Sequence, residues 1–274
     1  MSIVDAPKYR GRSRGVVVRR PGDRTNVSRS ATRALDVLEY FGLAREPLRA
    51  FEISRRLGMS PSTTNQLLKT MVASSHLVFD ARSKAYLPSP RLALFSRWLR
   101  ELYGDGGNLE TLVRDVQSQT GMTVTICVQN DLFMQLLDVS AVAGSGTERG
   151  MQIGIFGSAT GSALLTMLDD AEIARLAQRA RIDPADFADL MCRIIQIRSD
   201  GYADGSIDGQ ANWSIAVPLT GLHVPAVLGL SGSREEVIPR IDELHQLMRA
   251  AVERWIDASQ HSSEQDREGD RPST

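Results

Sequence analysis

The 274-residue chain has few cysteines, no long apolar run and almost no net charge. Its two cysteines, Cys127 and Cys192, lie far apart and form no CxxC pair. The sequence therefore predicts neither a disulfide framework nor a zinc site, and both cysteines are interpreted as small buried hydrophobic residues. The longest apolar stretches, such as VTICV and AVLGL, are far shorter than the roughly 18 residues of a membrane helix, and the N-terminus does not resemble a signal peptide. We therefore expect a cytoplasmic protein that has no membrane partner.

Motifs of the common enzyme classes are also missing from the sequence. There is no GxSxG, P-loop or GxGxxG fingerprint, and the similar string GSATG has Ala159 where a nucleophile would stand. Metal-ligand spacing is absent among the four histidines, which are His76, His223, His245 and His261. We expect no catalytic residue, no metal, no cofactor and no enzymatic activity.

The formal net charge of -1 conceals a strong asymmetry between the two parts of the chain. Residues 1–100 contain 19 basic and 7 acidic residues, a net charge of +12, whereas residues 101–274 contain 13 and 26, a net charge of -13. Such an asymmetry indicates a module for a polyanion joined to a module that does not bind it. Nucleic acid is the first candidate partner and an anionic membrane is the second. The length also favours two domains, at roughly 100 to 200 residues each.

The basic part begins with residues 1–27, which are rich in arginine and have little apolar periodicity. This composition predicts a flexible basic arm. Arms that reach along DNA have this composition, but so do solvated tails that have no role. Both interpretations of the arm are therefore kept.

Residues 28–90 read as a winged helix-turn-helix. The apolar stripe of ALDVLEYF predicts a first helix, and a second helix is expected to turn Phe51 inward. The third helix starts almost at once, with Ser60 as its N-cap and Pro61 as its first residue. Two short helices joined by a tight turn that contains Gly58 are typical of a helix-turn-helix. The strand-like runs SHLVFD and KAYLPS then predict a hairpin wing.

Polar side chains occupy the first turns of the third helix, the part of a recognition helix that enters the major groove. Asn and Gln can pair with adenine, hydroxyl groups can meet base edges or phosphates, and the capped N-terminus can bind a phosphate. An ordinary solvated helix face is the alternative, but the preceding helix, the hairpin and the positive charge favour DNA. The predicted DNA-binding residues are Ser60, Ser62, Thr63, Thr64, Asn65, Gln66 and Lys69 in the helix, and Arg82 and Lys84 in the wing.

A linker helix is predicted over residues 91–106, where RLALFSRWLREL has a strongly apolar face. Leu94, Phe95, Trp98 and Leu99 would be an unusual amount of exposed apolar surface on a monomer. We therefore expect a second subunit to cover this face.

The acidic remainder is predicted to form an α+β domain over residues 107–260. Helices alternate with two probable hairpins, which indicates an antiparallel sheet. An amphipathic helix is expected from Val237 to Ile256, and residues 261–274 are predicted to be a disordered polar tail.

The order of these parts resembles that of the IclR-type transcriptional regulators. The resemblance extends over about residues 28–256 and rests on SRSATRALDVLEYF, LGMSPSTTNQLLKTM, GSATGSALL and DGYADGSIDGQANWSIAVPL. It implies a GAF-like effector-binding domain and a regulator that binds double-stranded DNA as a homodimer or a dimer of dimers. The chain departs from the family pattern at Pro61 and Gln66, where a basic residue and an arginine are common. It also has Ser214 where a cysteine is usual.

The resemblance also implies a small-molecule pocket where GSATG joins a strand to a helix. Free N–H groups at a helix start suit a carboxylate, although from the residues alone a capped helix packed through small residues is the better interpretation. The expected ligand is a small organic acid. The ligand-binding residues expected on these grounds are Ser158, Ala159, Thr160, Asp208, Ser214 and Ser231.

Two classes of function are compatible with these observations. The first is a ligand-responsive DNA-binding transcriptional regulator. The alternative is an enzyme that acts on a small carboxylate and carries an appended DNA-binding domain. A sensor returns its ligand unchanged, whereas an enzyme converts it.

Overall fold

The computed structural model describes residues 16–20, 28–103, 107–206, 211–222 and 224–269. The chain divides into two compact units, a smaller one over Arg24–Leu102 and a larger one formed by Met1–Asp23 together with Tyr103–Thr274. The chain therefore starts in the larger unit, leaves it to form the smaller unit, and returns.

The smaller unit consists of three helices followed by a two-stranded antiparallel hairpin. Its core is built around Val37, Ile53 and Leu68, which are fully buried. This order confirms the predicted winged helix-turn-helix. The elements are α1 (Arg29–Ala44), α2 (Ala50–Arg56), α3 (Pro61–Ala73), β2 (Leu77–Asp80) and β3 (Ala85–Pro88), followed by the linker helix α4 (Arg91–Tyr103).

The inward position predicted for Phe51 is wrong. Its side chain is 62% exposed, whereas Ile53 is completely buried. Residues two positions apart on a helix point about 200° apart, so the burial of Ile53 turns Phe51 outward.

The larger unit is built on a seven-stranded sheet in which every paired strand is antiparallel. This confirms the predicted antiparallel sheet. The spatial order of the strands is β1-β6-β5-β4-β9-β8-β7. The strands are β1 (Val18–Arg19), β4 (Thr123–Asn130), β5 (Phe133–Ser140), β6 (Gln152–Gly154), β7 (Ala203–Gly205), β8 (Asn212–Leu219) and β9 (Ala226–Ser233).

Helices cover both faces of this sheet, and each face has its own buried core. One face packs against α5 (Gly107–Thr120) and α10 (Ile241–Gly269), which follows the short α9 (Arg234–Val237). The other face packs against α6 (Ala159–Leu165), α7 (Asp170–Ala180) and α8 (Pro184–Asp200). No helix within the described ranges is long and apolar enough to cross a membrane.

Three features of the larger unit differ from the sequence prediction. Part of the predicted arm forms β1, because the β-branched residues of this segment pair with the outer edge of β6. Residues 1–15 and 21–27 of that arm lie outside the described residues. The predicted disordered tail begins as a helix, since α10 continues to Gly269 and no proline or glycine interrupts it before that point. Cys192 is exposed rather than buried, because α8 turns Ile194 and Ile197 towards the core.

Candidate functional site

The turn between α2 and α3 is fixed by its own hydrogen bonds. The buried Ser54 Oγ donates to the carbonyl oxygen of Met59 at 2.7 Å. Gly58 in this turn has a φ of 60°, in the left-handed region that favours glycine. Ser60 caps α3, and its Oγ accepts from the N–H of Thr63 at 3.2 Å. The start of α3 is therefore held in one orientation relative to α2.

Four of the predicted DNA-binding residues form one exposed face of α3. Ser62, Asn65, Gln66 and Lys69 are all exposed, and their spacing of three to four residues puts them on the same side of the helix. Amides and an ammonium group in this arrangement can contact base edges and phosphates. The face therefore has the chemistry of a major-groove reading surface.

The remaining hydroxyl residues of α3 are used mainly within the protein. Thr64 is fully buried and its Oγ1 donates to the Ser60 carbonyl at 3.0 Å, so the prediction that Thr64 contacts DNA is wrong. It is turned inward because Leu68, one helical turn later, belongs to the core. The hydroxyl groups of Ser60 and Thr63 bond to each other at 2.8 Å at the rim of the exposed face.

The wing presents two basic side chains at its turn. Arg82 and Lys84 are exposed between β2 and β3. The Asp80 carboxylate accepts from the Ser83 hydroxyl and from the N–H of Arg82 at 3.0 Å, and these bonds lower the pKa of Asp80. This network fixes the turn, so both cations extend from an ordered hairpin.

In the larger unit, the start of α6 lies directly against the end of the β6 segment. A β-carbon on Gly161 would lie 1.8 Å from the Ile155 carbonyl oxygen, so no other residue can occupy this position without a backbone shift. The Ser158 Oγ accepts from the N–H of Gly161 at 3.1 Å and donates to the Gly154 carbonyl at 2.8 Å. Ser158 and Ala159 are both buried, and Ala159 packs in the core. Their side chains are therefore used by the fold, and only their backbone groups are left for a ligand.

Thr160 is the predicted ligand-binding residue whose side chain is buried and unsatisfied. Its Oγ1 has no hydrogen-bond partner among the described residues, although the residue is only 8% exposed. A buried hydroxyl without a partner costs free energy, and such groups usually bond to a bound molecule or a water. Thr160 therefore indicates a polar site between α6 and the sheet.

Three hydroxyl side chains form a row on the sheet face that α6 covers. Ser231 of β9 pairs in register with Thr123 of β4 on one side and with Ser214 of β8 on the other. All three lie on the α6 face, because residues an even number of positions apart on a strand share a face, and Cys127 of β4, Val227 of β9 and Ala216 of β8 belong to the core on the α6 side. The structure thus brings Ser214 and Ser231 together as predicted.

A basic residue that sequence reasoning missed lies beside this row. Arg193 of α8 donates to the carbonyl oxygen of Asp204, and its Nη2 is 3.8 Å from the position of a β-carbon on Gly205. Gly205 pairs with Ser214, so the guanidinium group stands next to the end of the hydroxyl row. Arg193 belongs to no motif, and only the packing of α8 on β7 reveals its position. Asp208 lies outside the described residues.

Comparison with known proteins identifies the helix-turn-helix domain and finds similar proteins that extend over most of the chain. The model of the IclR helix-turn-helix domain matches residues 30–81. The transcriptional regulator BhcR of Paracoccus denitrificans is 26% identical over 236 residues, which cover 82% of this chain and 84% of that protein. XynR of Escherichia coli, also a transcriptional regulator, is 23% identical over 227 residues, 79% of this chain and 89% of its own.

A solved structure also resembles this chain in fold. The crystal structure of an IclR transcriptional regulator from Alicyclobacillus acidocaldarius covers 84% of this chain and 99% of its own, with a TM-score of 0.50 and 20% identity. This likeness supports the same fold. Because the relatives are transcriptional regulators, the prediction that the chain is not an enzyme is confirmed. The chain therefore contains an IclR-type helix-turn-helix domain and is similar along most of its length to transcriptional regulators.

Proposed function

We propose that this regulator reads an operator through α3 and the wing and responds to a small organic acid bound between α6 and the sheet. The main observation that supports ligand binding is the buried hydroxyl of Thr160, which has no hydrogen-bond partner among the described residues. It lies on the same sheet face as the row formed by Thr123, Ser231 and Ser214. A molecule with several polar oxygens would satisfy the Thr160 hydroxyl and would also meet the hydroxyl groups of the row, of which Thr123 already accepts from the N–H of Val142 at 3.1 Å.

The exposed face of α3 supports the DNA-binding half of the proposal. Asn65 and Gln66 would contact base edges, while Lys69 and the two wing residues Arg82 and Lys84 would contact phosphates. Ser62 adds a hydroxyl group at the start of the helix, and Ser60 and Thr63 stand at the rim. Regulators of this kind act where bacterial DNA lies, so we expect the protein in the cytoplasm.

The ligand must bind to a unit whose net charge is negative. Residues 101–274 carry 13 basic and 26 acidic residues, which should repel an anion at long range. At physiological ionic strength, however, the Debye length is about 8 Å, so distant carboxylates have little effect. The backbone N–H groups at the start of α6, the hydroxyl row and the Arg193 guanidinium would then supply the local attraction.

The linker helix supports self-association. Leu94, Phe95 and Trp98 of α4 are 67%, 58% and 52% exposed within the described chain. A second copy that covered this face would remove a large apolar patch from water. Two-fold symmetry would also present two recognition helices to half-sites roughly 34 Å apart. We therefore propose a homodimer, which can associate further into a dimer of dimers.

Two experiments test the proposed function. Sequences bound by the full-length protein are selected from a random pool, and the affinity for the best duplex is measured against salt. If about six phosphates are neutralised, the affinity should fall roughly a thousandfold between 50 and 200 mM salt. A salt-independent affinity would contradict DNA binding through this basic surface.

The ligand is sought by calorimetric titration of the full-length protein with aromatic and central-metabolic carboxylic acids and with their amides. Acids should bind and the matched amides should bind much more weakly, because a hydrogen bond to a charged group is worth roughly 1.5 to 3 kcal/mol. Equal binding of acids and amides would show that the site does not hold a carboxylate.

A further inference from the structure

Residues 16–20, which we call the edge segment, lie along the outer edge of the sheet in the larger unit. The middle of this segment forms β1, which pairs antiparallel with β6. The pairing extends by one residue, since the N–H of Gly154 donates to the Val17 carbonyl at 2.8 Å. On its other side β6 pairs with β5. The three-residue strand β6 is therefore held from both sides, and the edge segment holds it from the outside.

Two side-chain contacts extend from the edge segment beyond β6. The Arg19 guanidinium lies 4.0 Å over the ring of Phe133 in β5, a cation–π geometry. A Cγ2 atom of Val16 lies 3.2 Å from where a β-carbon on Gly157 would stand. Gly157 directly precedes Ser158, the N-cap of α6. The edge segment therefore contacts the turn by which the chain enters α6.

Gly154 connects the edge segment to α6 by hydrogen bonds. Its N–H donates to the Val17 carbonyl, and its own carbonyl oxygen accepts from the Ser158 Oγ at 2.8 Å. The same Oγ accepts from the N–H of Gly161 at 3.1 Å. Thr160, whose buried hydroxyl has no partner among the described residues, lies within the turn that this cap closes. Three successive hydrogen bonds thus link the edge segment to the first turn of α6.

The edge segment is held less firmly than the rest of the sheet. Val17 and Val18 are 55% and 39% exposed, so the segment buries little apolar surface. Only two of its residues form a strand, and pairing at a sheet edge opens more easily than pairing in the centre. The segment can therefore be released while the seven-stranded sheet behind it stays folded.

We propose that the edge segment is a releasable clamp on the start of α6. In its docked position, the bond to Gly154 and the contact between Val16 and Gly157 hold the Ser158 cap in place. Its release loosens this cap and exposes Thr160. Because coupling between two binding events is reciprocal, a ligand that requires the fixed cap also favours the docked segment. This effect on the ligand rests on the proposed function, whereas the clamp depends only on contacts within the larger unit.

The antiparallel pairing provides a matched set of variants. Hydrogen-bonded and non-hydrogen-bonded pairs alternate along such a ladder, so the N–H of Arg19 points towards β6 and the N–H of Val18 points away. Arg19→Pro removes a ladder donor and should release the edge segment, whereas Val18→Pro places the same ring at a tolerated edge position. Arg19→Ala removes the same positive charge as Arg19→Pro but keeps the N–H.

The first measurement is hydrogen exchange of single amides in the full-length protein. Relative to Arg19→Ala, Arg19→Pro should lower protection roughly tenfold at Gly154 and roughly fivefold at Gly161, because both amides belong to the linked hydrogen bonds. Val18→Pro should retain protection at both. The control is the amide of Ile173, which donates to the Asp169 carbonyl in α7 and should not change.

Three exchange results would overturn the clamp. Unchanged protection of Gly154 in Arg19→Pro would show that the edge segment does not hold β6. A loss at Gly154 without one at Gly161 would show that the segment covers the sheet edge without acting on α6. An equal loss at Ile173 would show that the whole unit is loosened rather than the cap alone.

The second measurement tests access to position 160 with iodoacetamide. Thr160→Cys replaces the buried hydroxyl with a thiol, and Cys192→Ser removes the exposed native thiol, while Cys127 is completely buried. In this background Arg19→Pro should raise the alkylation rate roughly fivefold over Arg19→Ala, and Val18→Pro should not. Equal rates in Arg19→Pro and Arg19→Ala would overturn the exposure of Thr160.

Neither measurement requires a ligand, so the clamp and the proposed function can fail separately. A wild-type protein that binds none of the tested acids would overturn the proposed ligand site. Exchange at Gly161 would still decide whether the edge segment holds the start of α6.

Discussion

Thr160 and Gly229 face each other across the boundary between α6 and the effector sheet. A β-carbon on Gly229 would lie 2.9 Å from Cγ2 of Thr160 and 2.8 Å from Oγ1 of Thr125. Distances this short leave no room for a methyl group. Glycine at this position of β9 therefore allows the start of α6 to lie close against the sheet at the proposed ligand site.

Gly229→Ala should therefore lower the stability of the protein. The added methyl group must displace Thr160 or Thr125, and overpacking of this kind typically costs about 1 to 3 kcal/mol. The measurement is the urea midpoint of unfolding followed by circular dichroism. Gly232→Ala on the same strand is the matched control, because its β-carbon would meet neighbours only at 3.4 Å, an ordinary contact. Equal midpoints for the two variants would show that the α6 packing tolerates the methyl group.

Local signals were sufficient to predict the order of elements. Ser60 and Pro61 mark the start of α3, and Asp169 and Asp183 cap α7 and α8 by the same kind of local signal. The four polar residues of α3 that are exposed follow from helical spacing alone. Capping and periodicity depend on neighbours within a few residues, so the sequence alone can reveal them.

Features that depend on packing between distant segments could not be predicted in this way. Thr64 and Phe51 were placed on the wrong sides of their helices, because the side that faces the core is set by the packing of one helix on another. Arg193 comes next to Ser214 only through the packing of α8 on β7. The pairing of β1 with β6 brings Val18 opposite Ile153 across more than a hundred residues, and no local pattern specifies such a partner.

Base preference should depend on the exposed amides of α3. Asn65→Ala and Gln66→Ala should each cost about 1 to 3 kcal/mol at a preferred operator if the amide makes a bidentate contact, and each should relax selectivity at one base pair. Selection of bound sequences with each variant measures this. Thr64→Val is the control within the same helix, because Thr64 is buried and should leave the selected sequence unchanged. Unchanged preference in both alanine variants would remove these residues from the base readout.

Self-association should depend on the apolar face of the linker helix. Trp98→Glu places a charge on a face that a second copy is proposed to cover, and burial of an unpaired charge is strongly unfavourable. Sedimentation should show a shift from dimer towards monomer at micromolar concentration. Ile195→Glu is the control, since Ile195 is also a large exposed apolar side chain but lies on α8 of the other unit. A wild-type protein that sediments as a monomer would contradict the proposed dimer.

Stability should decline in mild acid because of His245. Burial, together with the nearby Arg249, lowers the pKa of His245 below its ordinary value of 6.5, although Asp242 and Asp200 partly oppose the shift. The folded protein then binds fewer protons at this residue than the unfolded chain, so stability is retained above about pH 6.5 and falls as the pH drops below it. His245→Gln should make the urea midpoint less dependent on pH between 7.5 and 5.5. A His245→Gln protein whose midpoint depends on pH as steeply as that of the wild type would contradict this assignment.

Ligand affinity and stability should respond in opposite directions to Thr160→Val. Valine has nearly the same shape as threonine but lacks the buried hydroxyl that has no partner within the described residues. Removal of an unsatisfied buried polar group should leave stability unchanged or raise it by up to about 1 kcal/mol. If the hydroxyl bonds to a carboxylate ligand, its loss should weaken binding about tenfold to a hundredfold. Calorimetry against the acid that binds the wild type, with urea unfolding of the same samples, measures both quantities.

Thr166→Val is the control, because its Oγ1 already donates to the Ala163 carbonyl at 2.6 Å and its loss should reduce stability without affecting the ligand. A Thr160→Val protein that is less stable but binds the acid as tightly as the wild type would show that the hydroxyl supports the fold rather than the ligand.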